Sequence, residues 1–180
     1  DRAGLASVED KEGMPEYLKT LPPGTTALLL ETRSETKEGL DQQITEITEA
    51  LSAIKTVQPL SFSDIPEEFN KLWKIRKGLF PAVGAVRETG TTVIIEDVAF
   101  PTEHLAEAAI DLQGLFKKYN YSEAIIFGHA LEGNLHFVFT QDFAIEDEVV
   151  RYQQFMDEVV NLVVDKYSGS LKAEHGTGRN

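Results

Sequence analysis

The chain has 180 residues, and 30 acidic against 17 basic side chains leave a formal net charge of −13. That balance argues against nucleic acid and anionic membrane as partners, because phosphate binding needs a basic patch. There is no cysteine, which excludes disulfides, thiolate catalysis and iron–sulfur ligation within these residues.

The length suits one domain with a core of its own. No run is long enough for a transmembrane segment, and no signal peptide is visible. The first helical face is Met14, Tyr17, Leu18 and Leu21, stopped by Leu21-Pro-Pro-Gly24. Residues 25–33 read as a strand, and their continuous apolar centre predicts an inner position in the sheet. Thr36 is an N-cap for a helix whose buried stripe is Leu40, Ile44, Ile47, Leu51 and Ile54. A second helix covers 62–77, with Ser63 as cap, Phe69, Leu72 and Trp73 as its apolar face, and a loop over 79–85 after it. Residues 91–100 form a strand ended by Pro101. Thr102 caps a helix with the stripe Leu105, Ala108, Ala109, Leu112, Leu115, Phe116 and Tyr119. A hairpin follows, and then a helix reaching about Lys166. This order predicts an α+β fold of ferredoxin-like type, a mostly antiparallel sheet covered by helices on one side. There is no GxGxxG and no P-loop.

The hairpin carries the first chemical signal. Ala124–His129 and Leu135–Thr140 are rich in β formers, with Glu132-Gly133 between them. A four-residue turn over 131–134 pairs Ala130 with Leu135 and His129 with His136. Opposed residues share a face with Cβ atoms roughly 5 Å apart, which suits two imidazoles on one metal ion.

The second signal is Ser168-Gly-Ser-Leu-Lys-Ala-Glu-His-Gly-Thr-Gly-Arg179. Three of the chain's four histidines fall in these two segments, and His104 reads as a surface residue. His129, His136 and Glu174 make an N2O donor set that leaves a position open, suited to zinc first and also to manganese, iron or cobalt. His175 is then a general base. Asn134 stands at the mouth as a hydrogen-bonding group. Arg76 shares a helix face with Leu72 and Trp73, and either snorkels or reaches into a site to hold a carboxylate. Lys74, Lys77 and Arg87 add positive charge nearby. No side chain accepts a hydride, so redox chemistry here needs a cofactor.

With Leu72–Lys77, Glu96–Pro101, Gly128–His136 and Ser168–Arg179 taken together, the sequence resembles the C-terminal, substrate-binding cap domain of FAD-linked oxidases of the vanillyl-alcohol oxidase superfamily. The branch is that of D-lactate dehydrogenase, D-2-hydroxyglutarate dehydrogenase and glycolate oxidase, nearest the large bacterial FAD and iron–sulfur dehydrogenases. The resemblance implies that His129, His136 and Glu174 hold a divalent metal, that His175 is the base, that Arg76 binds the substrate carboxylate and that Asn134 lines the pocket. It implies FAD bound mainly by an N-terminal domain of the same chain, an iron–sulfur cluster in a C-terminal region, and a quinone or electron-transfer protein as acceptor. The substrate implied is a small anionic D-2-hydroxy acid. The location implied is cytoplasmic or peripheral at the inner face of the membrane. Residues 1–180 then read as a cap fragment cut at both ends and inactive alone.

Two departures from the family pattern stand out. Leu131-Glu132-Gly133-Asn134 replaces Gly-Asp-Gly-Asn between the histidines, and Ile95 stands where some hydroxyglutarate enzymes place a lysine for a second carboxylate. Two other readings compete: a zinc-dependent hydrolase domain, and a non-catalytic ferredoxin-like ligand-binding domain.

Overall fold

The computed structural model describes residues 1–174; for residues 80 and 82–86 it describes the backbone alone. Three antiparallel strands, β1 (Thr92–Ala99), β2 (Ile125–His129) and β3 (Asn134–Gln141), form a sheet in the order β1-β3-β2. The helices are α1 (Arg2–Ala6), α2 (Lys37–Leu51), α3 (Pro66–Val86), α4 (Leu105–Lys118) and α5 (Glu146–Val160). This is the α+β arrangement that the element order predicts.

Strand alternation divides the sheet into two faces. On one, Ile94, Val98, Ile126, Leu135, Phe137 and Phe139 meet Leu112 and Phe116 of α4 and Phe155 and Val159 of α5. Phe155 is the hub of this core, with ring centroids 4.9 Å from Tyr121, 5.3 Å from Phe139 and 5.7 Å from Phe116. Tilted and edge-on rings at these separations suit the aromatic quadrupole. The α4 stripe faces this core as its periodicity predicts, with Ala108, Leu112 and Phe116 buried and Leu105, Ala109, Leu115 and Tyr119 partly buried against it.

The other face is also covered, so the helices do not keep to one side. Ile125 and Val138 pack against Leu5 and Val8 near α1, Leu18 of the short 3-10 turn Glu16–Thr20, and Ile75 and Leu79 of α3. This cover ends short of one corner of the sheet, where Asp97, Asn134 and His136 lie.

Several expectations fail, each for a physical reason. Residues 25–33 form no strand, and Leu28 is 70% exposed. β propensity states a preference, but a strand exists only where a partner completes its ladder. Among the described residues these have none. They run beside α2 and α3 instead, through Thr32 Oγ1 to Gln43 Oε1 at 2.5 Å and Trp73 Nε1 donating to Glu31 Oε2 at 3.0 Å.

Helix α2 begins as expected, with Thr36 Oγ1 accepting from the Gly39 N–H at 3.1 Å, but Leu40, Ile44, Ile47 and Leu51 are only half-buried, Ile54 lies beyond the helix and is exposed, and α2 holds no buried residue. Periodicity marks which side of a helix is apolar, not what covers it. Among the described side chains of α3 the buried ones are Ile75 and Leu79, while Leu72 is exposed. The predicted loop 79–85 is helical, with Pro81 inside α3. Proline forfeits one helical hydrogen bond, and this helix continues through that loss. Thr102 opens a 3-10 turn, Thr102–His104, and makes no side-chain cap.

Candidate metal centre

The hairpin register differs from the predicted one. Phe127 opposes His136, and His129 opposes Asn134. The loop still has four residues, but they are 130–133. A 3-10 turn over Ala130–Glu132 ends at Gly133, whose φ of +64 is left-handed. Glycine enters that region without steric cost, which makes Gly133 the last loop residue and Asn134 the first of β3. A Cβ at Gly133 would stand 2.0 Å from the carbonyl oxygen of Phe100, so the position also needs a bare Cα. The Phe100 N–H donates to the Gly133 carbonyl at 2.9 Å and ties the loop to the end of β1.

The slip leaves the two histidines on one face, because moving both partners by one residue preserves side-chain parity. Their ring centroids are 5.8 Å apart and nearly perpendicular.

The third candidate ligand, Glu174, comes from the far end of the chain. After α5 a π-helical turn, Asn161–Lys166, leads to Gly169, whose N–H donates to the Val163 carbonyl at 2.7 Å. Ser170 then forms a two-way bridge with Ala99, N–H to carbonyl at 2.9 and 2.8 Å. This bridge lays residues 171–174 over the corner of the sheet.

There, Glu174 Oε1 lies 2.9 Å from His136 Nε2 and 3.4 Å from His129 Nε2. One ligand atom from each of the three residues lies within 4.8 Å of the other two. The His136 side chain is 3% exposed, whereas those of His129 and Glu174 are about half exposed, 51% and 50%. The cluster therefore has a buried root and an open mouth. Two imidazole nitrogens and a carboxylate oxygen fit a divalent cation with one position left over.

Asp97 went unnoticed in the sequence. Its carboxylate is buried on β1 directly opposite His136. Oδ1 lies 3.3 Å from His136 Nδ1 and accepts from Asn134 Nδ2 at 2.7 Å. Oδ2 accepts from the backbone N–H groups of Ala173 and Glu174 at 3.0 and 2.7 Å. A lone aspartate in a strand has no spacing signature. The available signal is an acidic residue on the alternate set Val93, Ile95, Asp97, where the neighbours are apolar and face inward.

Arg76 also reaches this corner. Its guanidinium carbon lies 5.0 Å from the centre of the Phe127 ring, and that ring is 5.3 Å from His136. Burial lowers the Arg76 pKa, and the negative charge of Glu174 opposes that shift. Arg76 thus lies over the Phe127 ring, next to His136.

Asn134 is buried. Its Nδ2 also donates to the Val98 carbonyl at 3.0 Å, and among the described residues its Oδ1 has no hydrogen-bond partner. Lys74, Lys77 and Arg87 are used elsewhere. Lys74 donates to the Glu12 carbonyl, Lys77 lies over Trp73, and Arg87 donates to the Thr91 carbonyl. His104 is a surface residue, 3.5 Å from Glu107. His175 lies outside the described residues.

No helix among the described residues is long and apolar enough to cross a membrane. Known proteins share this chain's pattern along its length. It is 28% identical over 145 residues to D-2-hydroxyglutarate dehydrogenase of Pantoea ananatis, covering 77% of this chain and 14% of that protein. It is 28% identical over 179 residues to glycolate oxidase subunit GlcD of Bacillus subtilis, covering 99% of this chain and 36% of that protein. It is 25% identical over 160 residues to a putative mitochondrial D-lactate dehydrogenase of Schizosaccharomyces pombe, covering 84% of this chain and 29% of that protein. The chain thus spans well under half the length of each of these relatives. Residues 1–180 match the family of FAD linked oxidases, C-terminal domain, and the chain belongs to that family.

Proposed function

We propose that this domain is the substrate- and metal-binding cap of a flavin-dependent dehydrogenase that oxidises a D-2-hydroxy acid. The observation that carries the reading is the convergence of His129, His136 and Glu174, with Arg76 over the Phe127 ring that borders His136. Three relatives are named for D-2-hydroxyglutarate, glycolate and, as a putative enzyme, D-lactate, each a 2-hydroxy acid.

The two imidazoles and the Glu174 carboxylate would hold the cation. When bound, the cation supplies Lewis acidity toward a hydroxyl, and the flavin supplies the hydride acceptor. Among the described residues no glycine-rich turn links a strand to a helix N-terminus, so the flavin is assigned to the rest of the parent protein.

The chain's own residues do the binding and the proton chemistry. Arg76 grips the substrate carboxylate, with Phe127 fixing the plane of the guanidinium. In a chain of net charge −13, that grip supplies local attraction against the global field. Asn134 offers its Oδ1 at the floor of the pocket. His175 takes the hydroxyl proton, a role assigned from its place next to Glu174 in the sequence. Oxidation of the alcohol to the 2-oxo acid releases that proton and one hydride from C2, so base and acceptor are both required. The hydrolase reading needs a second carboxylate to serve as base. The nearest, Asp97, is already engaged with Asn134, Ala173 and Glu174.

The test is anaerobic flavin bleaching by the full-length protein, scanned over D- and L-lactate, glycolate, malate and 2-hydroxyglutarate, with metal assayed on the same sample. Bleaching by one D-acid with about one cation per chain is the expected result. A flavin-bearing, metal-bearing protein that none of these acids bleaches would overturn the substrate assignment.

A further inference from the structure

We propose that Asp97 is a positioning residue that joins the histidine hairpin to the Glu174 segment, so that the two parts of the ligand set form together or not at all. Asp97 lies in the sheet, 76 and 77 positions from its partners Ala173 and Glu174. One oxygen serves the hairpin, through Asn134 and beside His136 Nδ1. The other receives two successive backbone N–H groups of the terminal segment. A carboxylate has acceptor sites on both oxygens and can serve both sides at once, which neither a carboxamide nor a hydroxyl can do.

Two further observations point the same way. The Ala99–Ser170 bridge ties the chain to the sheet at residue 170, and the two N–H groups accepted by Asp97 Oδ2 tie it again at residues 173 and 174. Asp97 thus extends the sheet's hold out to Glu174. On the other side, His136 Nε2 faces Glu174 while Nδ1 faces Asp97. A carboxylate beside Nδ1 favours the tautomer with its proton there, leaving the Nε2 lone pair for a cation.

The proposal rests on the metal reading only for its second readout. The experiment compares the full-length protein with Asp97→Ala. Amide exchange of residues 171–174 is followed with chelator present, and zinc affinity is measured by competition against a chromophoric chelator. Exchange at Ala173 and Glu174 should accelerate about tenfold or more while β3 stays protected. Zinc affinity should fall by roughly 10–100-fold, as for other outer-shell partners of metal-bound histidine.

Unchanged exchange at those two amides overturns the proposal. So does faster exchange with zinc affinity at the parent level. If the parent protein binds no zinc yet the variant loses protection, the metal reading falls and the joining role of Asp97 stands. Should Asp97→Ala fail to fold, Ala173→Pro removes one of the two N–H donors without touching the sheet, and exchange at the remaining Glu174 amide together with zinc affinity decides.

Discussion

Glu174 Oε1 stands 2.9 Å from His136 Nε2, although one residue belongs to the middle strand and the other to the last described residues of the chain. The contact defines which ligand is expendable to the fold. His129 and Glu174 are half exposed, whereas His136 is sealed into the sheet. His129→Ala should therefore abolish stoichiometric metal in the full-length protein with little change in thermal midpoint. His136→Ala should lose the metal and also destabilise the sheet. Metal analysis alongside calorimetry separates the two, and a metal-replete His129→Ala protein would remove His129 from the ligand set.

Arg76 is expected to act on binding more than on turnover. A charge-assisted hydrogen bond contributes about 1.5–3 kcal/mol, so Arg76→Ala should raise KM by roughly 10–150-fold with a smaller change in kcat. Arg76→Lys should recover only part of this, because an ammonium neither stacks flat on Phe127 nor offers a planar fork. Steady-state kinetics over the preferred acid checks it. A KM at the parent level in Arg76→Ala would return the residue to a packing role.

Glu96 predicts a pH dependence from the opposite face of the sheet, where it opposes Phe137. Burial, and then the neighbouring charge of Asp97, push its carboxyl from 4.5 up to about 7. The unfolded chain releases this proton at lower pH than the folded one. The folded state is thus favoured below pH 4.5, and the advantage drains away as pH rises toward about 7. Glu96→Gln should match the parent protein near pH 4 and exceed it in thermal midpoint near pH 8. An advantage that does not grow over that range would show that the buried carboxyl is not the cause.

Much of this fold was legible in the sequence where a face is buried by its nearest neighbours. The α4 stripe, β1, the hairpin and the helical run from α5 through the π-helical turn to Lys166 all follow from sequence pattern. The failures share a different cause: they depend on partners distant in sequence. Residues 25–33 have the composition of a strand, but a ladder is a property of two segments. The hairpin register turned on which loop position the residue with φ > 0 fills, and Gly133 closes a loop of 130–133 instead of standing third in one of 131–134. Because the slip keeps parity, the convergence of His129 and His136 survived the error. Asp97 escaped because its meaning lies in residues 134, 136, 173 and 174, which only the folded chain brings to it.

The loop itself offers a stability test. Gly133→Ala combines a left-handed backbone with a Cβ 2.0 Å from the Phe100 carbonyl. The conformation alone costs about 1–2 kcal/mol, and the clash adds to it. Urea unfolding of the full-length protein should show at least that loss, together with weakened metal binding. On the aromatic side, Phe155→Ala should cost about 3–5 kcal/mol through the cavity left among Phe116, Tyr121 and Phe139.

Strand β3 serves two trades at once. Its odd positions, Leu135, Phe137 and Phe139, belong to the aromatic interior, while of its even positions Val138 joins the second core and Asn134 and His136 belong to the candidate site. Losing or gaining a single residue here would swap the two sets, driving an imidazole into the oil and a phenyl ring among the ligands. Such a strand can explore new side chains one position at a time, but it cannot explore new lengths. Changes of substrate in this lineage are therefore expected to be written as substitutions on β3 and as insertions in the segments that border it.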